Sequence, residues 1–190
     1  MNKLFILTIF LMSCVSLATN GSPITTPKDE VSIGIGASGV IIPGGSPIPV
    51  AAASIRYGLT ENTDIGFSGF PIFGVFNTDV KFRNSNFSAL IFGTGFSYFP
   101  TGDNWEFVLV PNFGLSFGNE KSYLSPRFIY PIAPSITNPL PVIQISYGLT
   151  VGKSIKFNPE MGFGIPLNPS NGQNFAFYFN YSVFYMPEKK

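Results

Sequence analysis

The stretch FAFYFNYSVFY, residues 175–185, decides the fold. Every odd position in it is large and apolar: Phe175, Phe177, Phe179, Tyr181, Val183 and Tyr185. Between them stand Ala176, Asn180 and Ser182. A period of two is the signature of a strand with two unlike faces, and nothing here follows a helical period.

The same alternation recurs upstream. Val31, Ile33, Ile35 and Ala37 oppose Ser32, Gly34, Gly36 and Ser38. Leu90, Phe92, Phe96 and Tyr98 oppose Ile91, Gly93, Gly95 and Ser97. Trp105, Phe107, Leu109 and Phe113 oppose Glu106, Asn112 and Gly114, with Val108 and Val110 intruding on the polar face. Further segments start near residues 50, 64, 76, 124, 143 and 155. The total is about ten strands, with eight or twelve as the alternative even counts. Each is roughly 9–13 residues long, close to the length that spans a bilayer as a tilted strand. Pro111, Pro126 and Pro159 fall inside these segments and predict bulges or displaced boundaries, because proline removes a ladder donor.

Composition narrows the setting. Charged residues make up 11% and aromatic residues 16%, with 21 Phe, 20 Gly and 17 Pro. An average soluble domain has about 25% charged residues, so a water-facing surface is poorly supplied. Beyond the N-terminus no apolar run reaches the ~18 residues of a membrane helix. The formal net charge of +1 carries no argument for nucleic acid.

The in-strand charges give the sharpest test of phase. Arg56, Asp64, Asp79, Lys81, Arg83, Glu106, Arg127, Lys156 and Glu160 all fall on the small, polar face. A cation facing lipid at mid-bilayer costs about 2–4 kcal/mol in a barrel, which explains such a phase. The expected architecture is therefore an all-β, antiparallel, up-and-down transmembrane β-barrel over residues 31–186. Its aromatic face points outward, and its lumen is lined by Gly, Ser and a charge network formed by those nine residues. A soluble β-domain with the apolar face inward is the alternative.

The N-terminus reads as an export signal over residues 1–18, with Lys3 before an apolar run. Two processing readings stand side by side. Ser16-Leu17-Ala18 suits ordinary signal peptidase, with a mature start at Thr19. Leu11-Met12-Ser13-Cys14 resembles a lipobox, with cleavage before an acylated Cys14, the single Cys of the chain. Residues 19–30, with two prolines and no periodicity, read as a polar linker. Residues 187–190 form a polar tail.

With the N-terminus in the periplasm, short turns near residues 58–63, 84–86, 118–121 and 148–153 face inward. The connections near 43–47, 71–74, 100–104, 131–141 and 167–174 face outward, the expected asymmetry. The YGLT tetrapeptide occurs twice, at 57–60 and 147–150, and reads as one good hairpin turn used twice.

This pattern resembles the small outer-membrane β-barrel proteins of diderm bacteria. The resemblance covers residues 31–186 and lies in the architecture. It implies outer-membrane localisation, contact with outer-membrane lipid and insertion by the barrel-assembly machinery. It also implies an assembly signal at a terminal aromatic, which Phe184 and Tyr185 match in type, although the chain continues to Lys190. Barrel enzymes of this class depend on a His, and this chain has none. Serine–histidine catalysis and the usual zinc and copper sites lack their preferred ligand. No cofactor, metal or nucleic acid is expected. The expected function is a non-enzymatic structural or surface-interaction barrel with an unidentified extracellular partner. The alternatives are a narrow solute channel or transport accessory, and a soluble periplasmic lipoprotein with a ligand-binding barrel.

Overall fold

The computed structural model describes residues 21–41, 48–70, 74–101, 104–133, 141–167 and 175–187. Cys14, both processing sites and most of the expected outer connections lie outside these residues. Ten long strands form the wall: β1 (Val31–Ile41), β2 (Ile48–Thr60), β3 (Thr63–Phe70), β4 (Val75–Ser85), β5 (Ser88–Thr101), β6 (Asn104–Gly118), β7 (Ser122–Ile129), β8 (Val142–Leu149), β10 (Ile155–Pro166) and β11 (Ala176–Tyr185). The two-residue β9 (Val151–Gly152) extends the hairpin between β8 and β10.

Each of the ten wall strands pairs antiparallel with the next wall strand, β8 with β10 included, and β11 returns to pair with β1, Ile33 opposite Tyr185 and Ile41 opposite Phe177. The sheet is thereby closed and has no free edge. Closure lets the strands satisfy one another's backbone groups, which is the condition for strands to cross a bilayer.

The alternation seen in the sequence sorts the two faces. Ile35 is 66% exposed, Met161 66% and Phe177 50% on the outside, while Asp64 and Lys81 are 0% exposed inside. This is the reverse of a soluble barrel, and it gives the molecule the surface of a membrane barrel. Aromatic ladders run across the outer face. Phe67, Phe76 and Phe96 stack at 5.8 and 5.5 Å, and Phe92 lies 5.0 Å from Phe113.

The lumen is not uniformly polar. Val108, Val110 and Ile91 are wholly buried, and Val75, Ile129 and Val142 nearly so. The two valines that intruded on the polar face in the sequence belong to this inward apolar set.

The prolines correct one expectation, for none of the three marks a bulge. Thr94 pairs with Pro111, Pro126 with Ile145 and Pro159 with Tyr181 in unbroken register. The observed register shifts lie instead beside turns, at Gly58/Thr60 and Arg83/Ser85. At Pro126 the reason is visible. The β6–β7 pairs Gly114–Arg127 and Phe117–Leu124 share one register, which places the missing donor opposite Leu115. The Ser125 hydroxyl donates to the Leu115 carbonyl at 3.0 Å and supplies the bond that proline withholds.

At the rim where β1 begins, the turns are short. Between β6 and β7, Gly118 adopts φ +144°, and an added Cβ there would run into the Ser122 carbonyl. The Asn119 side chain accepts from the amides of Lys121 and Ser122 at 2.8 and 3.1 Å, closing the turn.

Candidate luminal site

Arg56, Asp64 and Asp79 come from three consecutive strands. The register places Arg56 opposite Gly66, and Gly66 opposite Asp79. Because Gly66 has no side chain, the guanidinium lies across it and reaches both carboxylates. Nη2 is 2.5 Å from Asp64 Oδ1 and 2.7 Å from Asp79 Oδ1, and Nη1 is 3.2 Å from Asp79 Oδ2. The Asp64 and Asp79 side chains are fully buried. Two carboxylates around one guanidinium leave one negative charge. Lys81, two residues beyond Asp79 on the same inward face, lies within electrostatic reach of all three groups and balances it.

The same device builds the opposite wall. Arg127 pairs with Gly114, Tyr123 with Gly148 and Tyr178 with Gly162. In each pair, a Cβ on the glycine would collide with the neighbour's side chain. Large inward side chains thus fold over a glycine on the next strand, and this is how a narrow barrel holds them. The Tyr123 hydroxyl donates to Glu160 Oε2 at 2.6 Å and accepts from Asn158 Nδ2 at 2.9 Å. Tyr178 adds a longer bond to Glu160 Oε1 at 3.5 Å. Arg127 lies within electrostatic reach of both Glu160 and Asp79, so the two walls form one field.

Of the nine charges expected to form the network, Arg56, Asp64, Asp79, Lys81, Arg127 and Glu160 are buried inside the lumen. The other three stand apart. Arg83 sits at the rim, bonded to the Ser85 carbonyl at 3.3 Å and Asn86 Oδ1 at 2.5 Å. Lys156 lies at the same rim, its Nζ 3.6 Å from Met186 Sδ. Glu106 is buried near the far end of β6, two residues from its start.

Residues 21–27 carry a feature that the sequence did not announce. The polar segment leads into β1, and before doing so it crosses the inside of the barrel. Ser22, Thr25 and Thr26 are 3%, 2% and 0% exposed. Lys81 Nζ donates to the carbonyls of Ser22 and Ile24 at 2.9 and 3.2 Å, and the Thr26 amide donates to Asp64 Oδ2 at 2.7 Å. At its other end, the Gly21 carbonyl accepts from Ser116, and Gly21 lies against Tyr123, Ser125 and Glu160. The strap runs from the β2–β4 wall to the β6–β10 wall.

Gly58 admits the strap. Asp29 N donates to its carbonyl at 2.9 Å, its own amide donates to Glu30 O at 3.0 Å, and a Cβ there would strike Pro27. Gly148, the matching residue of the second YGLT, makes room for the Tyr123 ring. The two copies are alike in an inward glycine under a lodged group. Their turns differ: Thr60 pairs directly with Thr63, whereas the second copy continues through Val151–Gly152.

Sequence reasoning missed the strap, Tyr123, Asn158 and Tyr178. Parity alone signals Tyr178, which falls on the same face as Asn180, and Asn158, which falls on the face of Glu160. Tyr123 precedes the first residue assigned to its strand. The strap has no periodic signal, since a single extended crossing repeats nothing.

Among the described residues, no group of three or more His, Cys, Asp or Glu side chains is placed to hold a metal ion. A cavity of about 660 Å³ opens at the rim, bounded by Pro27, Arg83, Glu120, Lys153 and Lys156.

No known protein family matches the chain, and no curated protein matches it in sequence. Solved structures do. The outer membrane protease OmpT from Escherichia coli is 12% identical with a TM-score of 0.44, over 86% of this chain and 99% of that one. A deletion mutant of the monoaromatic hydrocarbon channel TodX is 12% identical with a TM-score of 0.43, over 79% of this chain and 54% of that one. The attachment invasion locus protein Ail of Yersinia pestis is 12% identical with a TM-score of 0.28, over 82% and 95%. Likenesses this distant assign no activity.

Proposed function

We propose that the chain is a non-enzymatic outer-membrane β-barrel, closed at rest, with a structural or surface-interaction role. One observation carries the reading: an apolar outer face surrounds a lumen crossed by buried ion pairs and by the chain's own residues 21–27. A barrel of about ten strands has little interior to spare once side chains fill it. The absence of His in the chain supports a role without catalysis. The N-terminus and the short turns face the periplasm, and the Pro-rich outer connections face an extracellular partner. Export by the signal, insertion by the assembly machinery and contact with outer-membrane lipid complete the proposal. Acylation at Cys14 remains one of its two processing forms.

The test is purification from membranes followed by folding into vesicles and planar bilayers. The expected results are heat-modifiable migration, resistance to alkaline extraction and no steady conductance. Recovery in the aqueous phase would refute the membrane reading. A steady open level from folded protein would refute the closed state.

The second reading, a narrow solute channel, draws on a separate observation. Both amide atoms of Gln144 are buried without a protein partner, as are Asn180 Oδ1 and Ser97 Oγ. Buried polar atoms of this kind are sites for ordered water, from which a hydrated path can be built. Reversal of Arg83 to Glu leaves ion selectivity unchanged if that path is not used.

A further inference from the structure

We propose that residues 21–27 form a displaceable gate, and that the barrel is an anion pathway once this strap leaves the lumen. The proposal goes beyond the resting state described above, in which the strap is seated.

Three observations carry it. First, the strap crosses the lumen without joining the wall as a strand. Over its inner stretch it is held by side chains: Lys81 on two carbonyls, Asp64 on the Thr26 amide and Ser116 on the Gly21 carbonyl. None of these bonds belongs to the barrel ladder, so their loss leaves every strand pairing intact. Second, the strap has a fixed pivot at the rim. Asp29 adopts φ +61°, a left-handed turn rare outside glycine, and its amide is bonded to Gly58 at 2.9 Å. The Tyr57 hydroxyl donates to Asp29 Oδ1 at 3.2 Å. Release of the inner contacts swings the segment about this point. Third, the groups uncovered are biased in charge. Inside the lumen, Arg56, Lys81 and Arg127 balance Asp64, Asp79 and Glu160. At the rim, Arg83, Lys153 and Lys156 face the same cavity as the strap, with Glu120 as the single carboxylate among the described residues of its lining. Among the described residues of that lining cations outnumber carboxylates, so small anions enter in preference to cations.

The gate is tested in planar bilayers under a potassium chloride gradient, with chloride as the probe anion. The full chain stays closed apart from rare brief openings. Deletion of residues 21–26 raises mean conductance at least tenfold, with a reversal potential on the chloride side. Adding Arg83→Glu and Lys156→Glu to the deletion moves the reversal potential toward potassium. A folded deletion variant as silent as the full chain overturns the gate, and a cation-selective one overturns the anion assignment. A second variant covers failure of the deletion to fold. A Cβ at position 21 lies 3.2 Å from Ser125 Cβ, close to disulfide reach, and 2.6 Å from the edge of the Tyr123 ring, which turns aside to admit it. Gly21→Cys with Ser125→Cys, in a Cys14→Ala chain, is silent when oxidised and regains brief openings when reduced. Identical records in both states overturn the proposal. Steady conduction by the unaltered chain would instead refute the closed resting state, so the two failures are distinguishable.

Discussion

The two walls of the lumen solve one problem with different chemistry. On the β2–β4 wall, charge answers charge: one guanidinium bridges two carboxylates, and a lysine completes the balance while holding the strap. On the β7–β11 wall, a single carboxylate, Glu160, is held by hydroxyls from Tyr123 and Tyr178, with Asn158 behind them. The ionic wall depends on every member being present, because a buried ion without its partner is penalised heavily. The hydroxyl wall is more tolerant, since losing one neutral donor leaves the carboxylate its other contacts.

The largest test of this contrast is Arg56→Met. It leaves Asp64 and Asp79 facing one another in the lumen, and the expected loss is about 3–5 kcal/mol. Reversible urea unfolding in lipid vesicles measures it. The triple variant with Asp64→Asn and Asp79→Asn recovers most of that loss, because no buried charge is then unpaired. If the triple variant is no better than Arg56→Met, charge pairing is not what stabilises this wall.

Gly66→Ala comes next. The new methyl would press on the Arg56 guanidinium and the Asp79 carboxylate, whose positions are set by each other. An overpacking cost of about 1–3 kcal/mol is expected. The equivalent change across the lumen, Gly114→Ala, meets the flexible aliphatic part of Arg127 and costs less. Equal losses at the two glycines would show that the walls do not differ in rigidity.

The smallest expected effect is that of Tyr123→Phe, about 1–2 kcal/mol, since it removes the hydrogen bond to Glu160 and the one from Asn158 and keeps the ring over Gly148. A loss as large as that of Arg56→Met would show the hydroxyl wall to be as interdependent as the ionic one.

The two walls also differ in how far they were legible. Arg56 and Asp64 stand eight residues apart across one hairpin, and their shared face follows from counting by twos. Asp79 and Lys81 follow by the same count on the next strand. Tyr123 and Glu160 are 37 residues apart on strands that are not sequence neighbours, so parity says that both point inward and nothing about their meeting. Arg83 and Lys156 have the inward parity of the network but sit at the rim. Parity reports the direction of a side chain, and its depth depends on where the strand ends. The prolines were misread for a related reason. Proline forbids one donor, and whether that donor was needed depends on which neighbour it faces and whether a group such as the Ser125 hydroxyl replaces it.

By itself the sequence determined the strand period, the approximate number of strands, which side chains face in and which face out, and that the in-strand charges avoid the apolar outer face. These are properties of a two-residue repeat and the cost of putting charge against lipid, both local to each strand. Only the tertiary structure decided which inward groups touch, because that depends on register around a closed ring. It alone placed residues 21–27 across the lumen, where an aperiodic segment finds its position through side chains contributed by opposite walls.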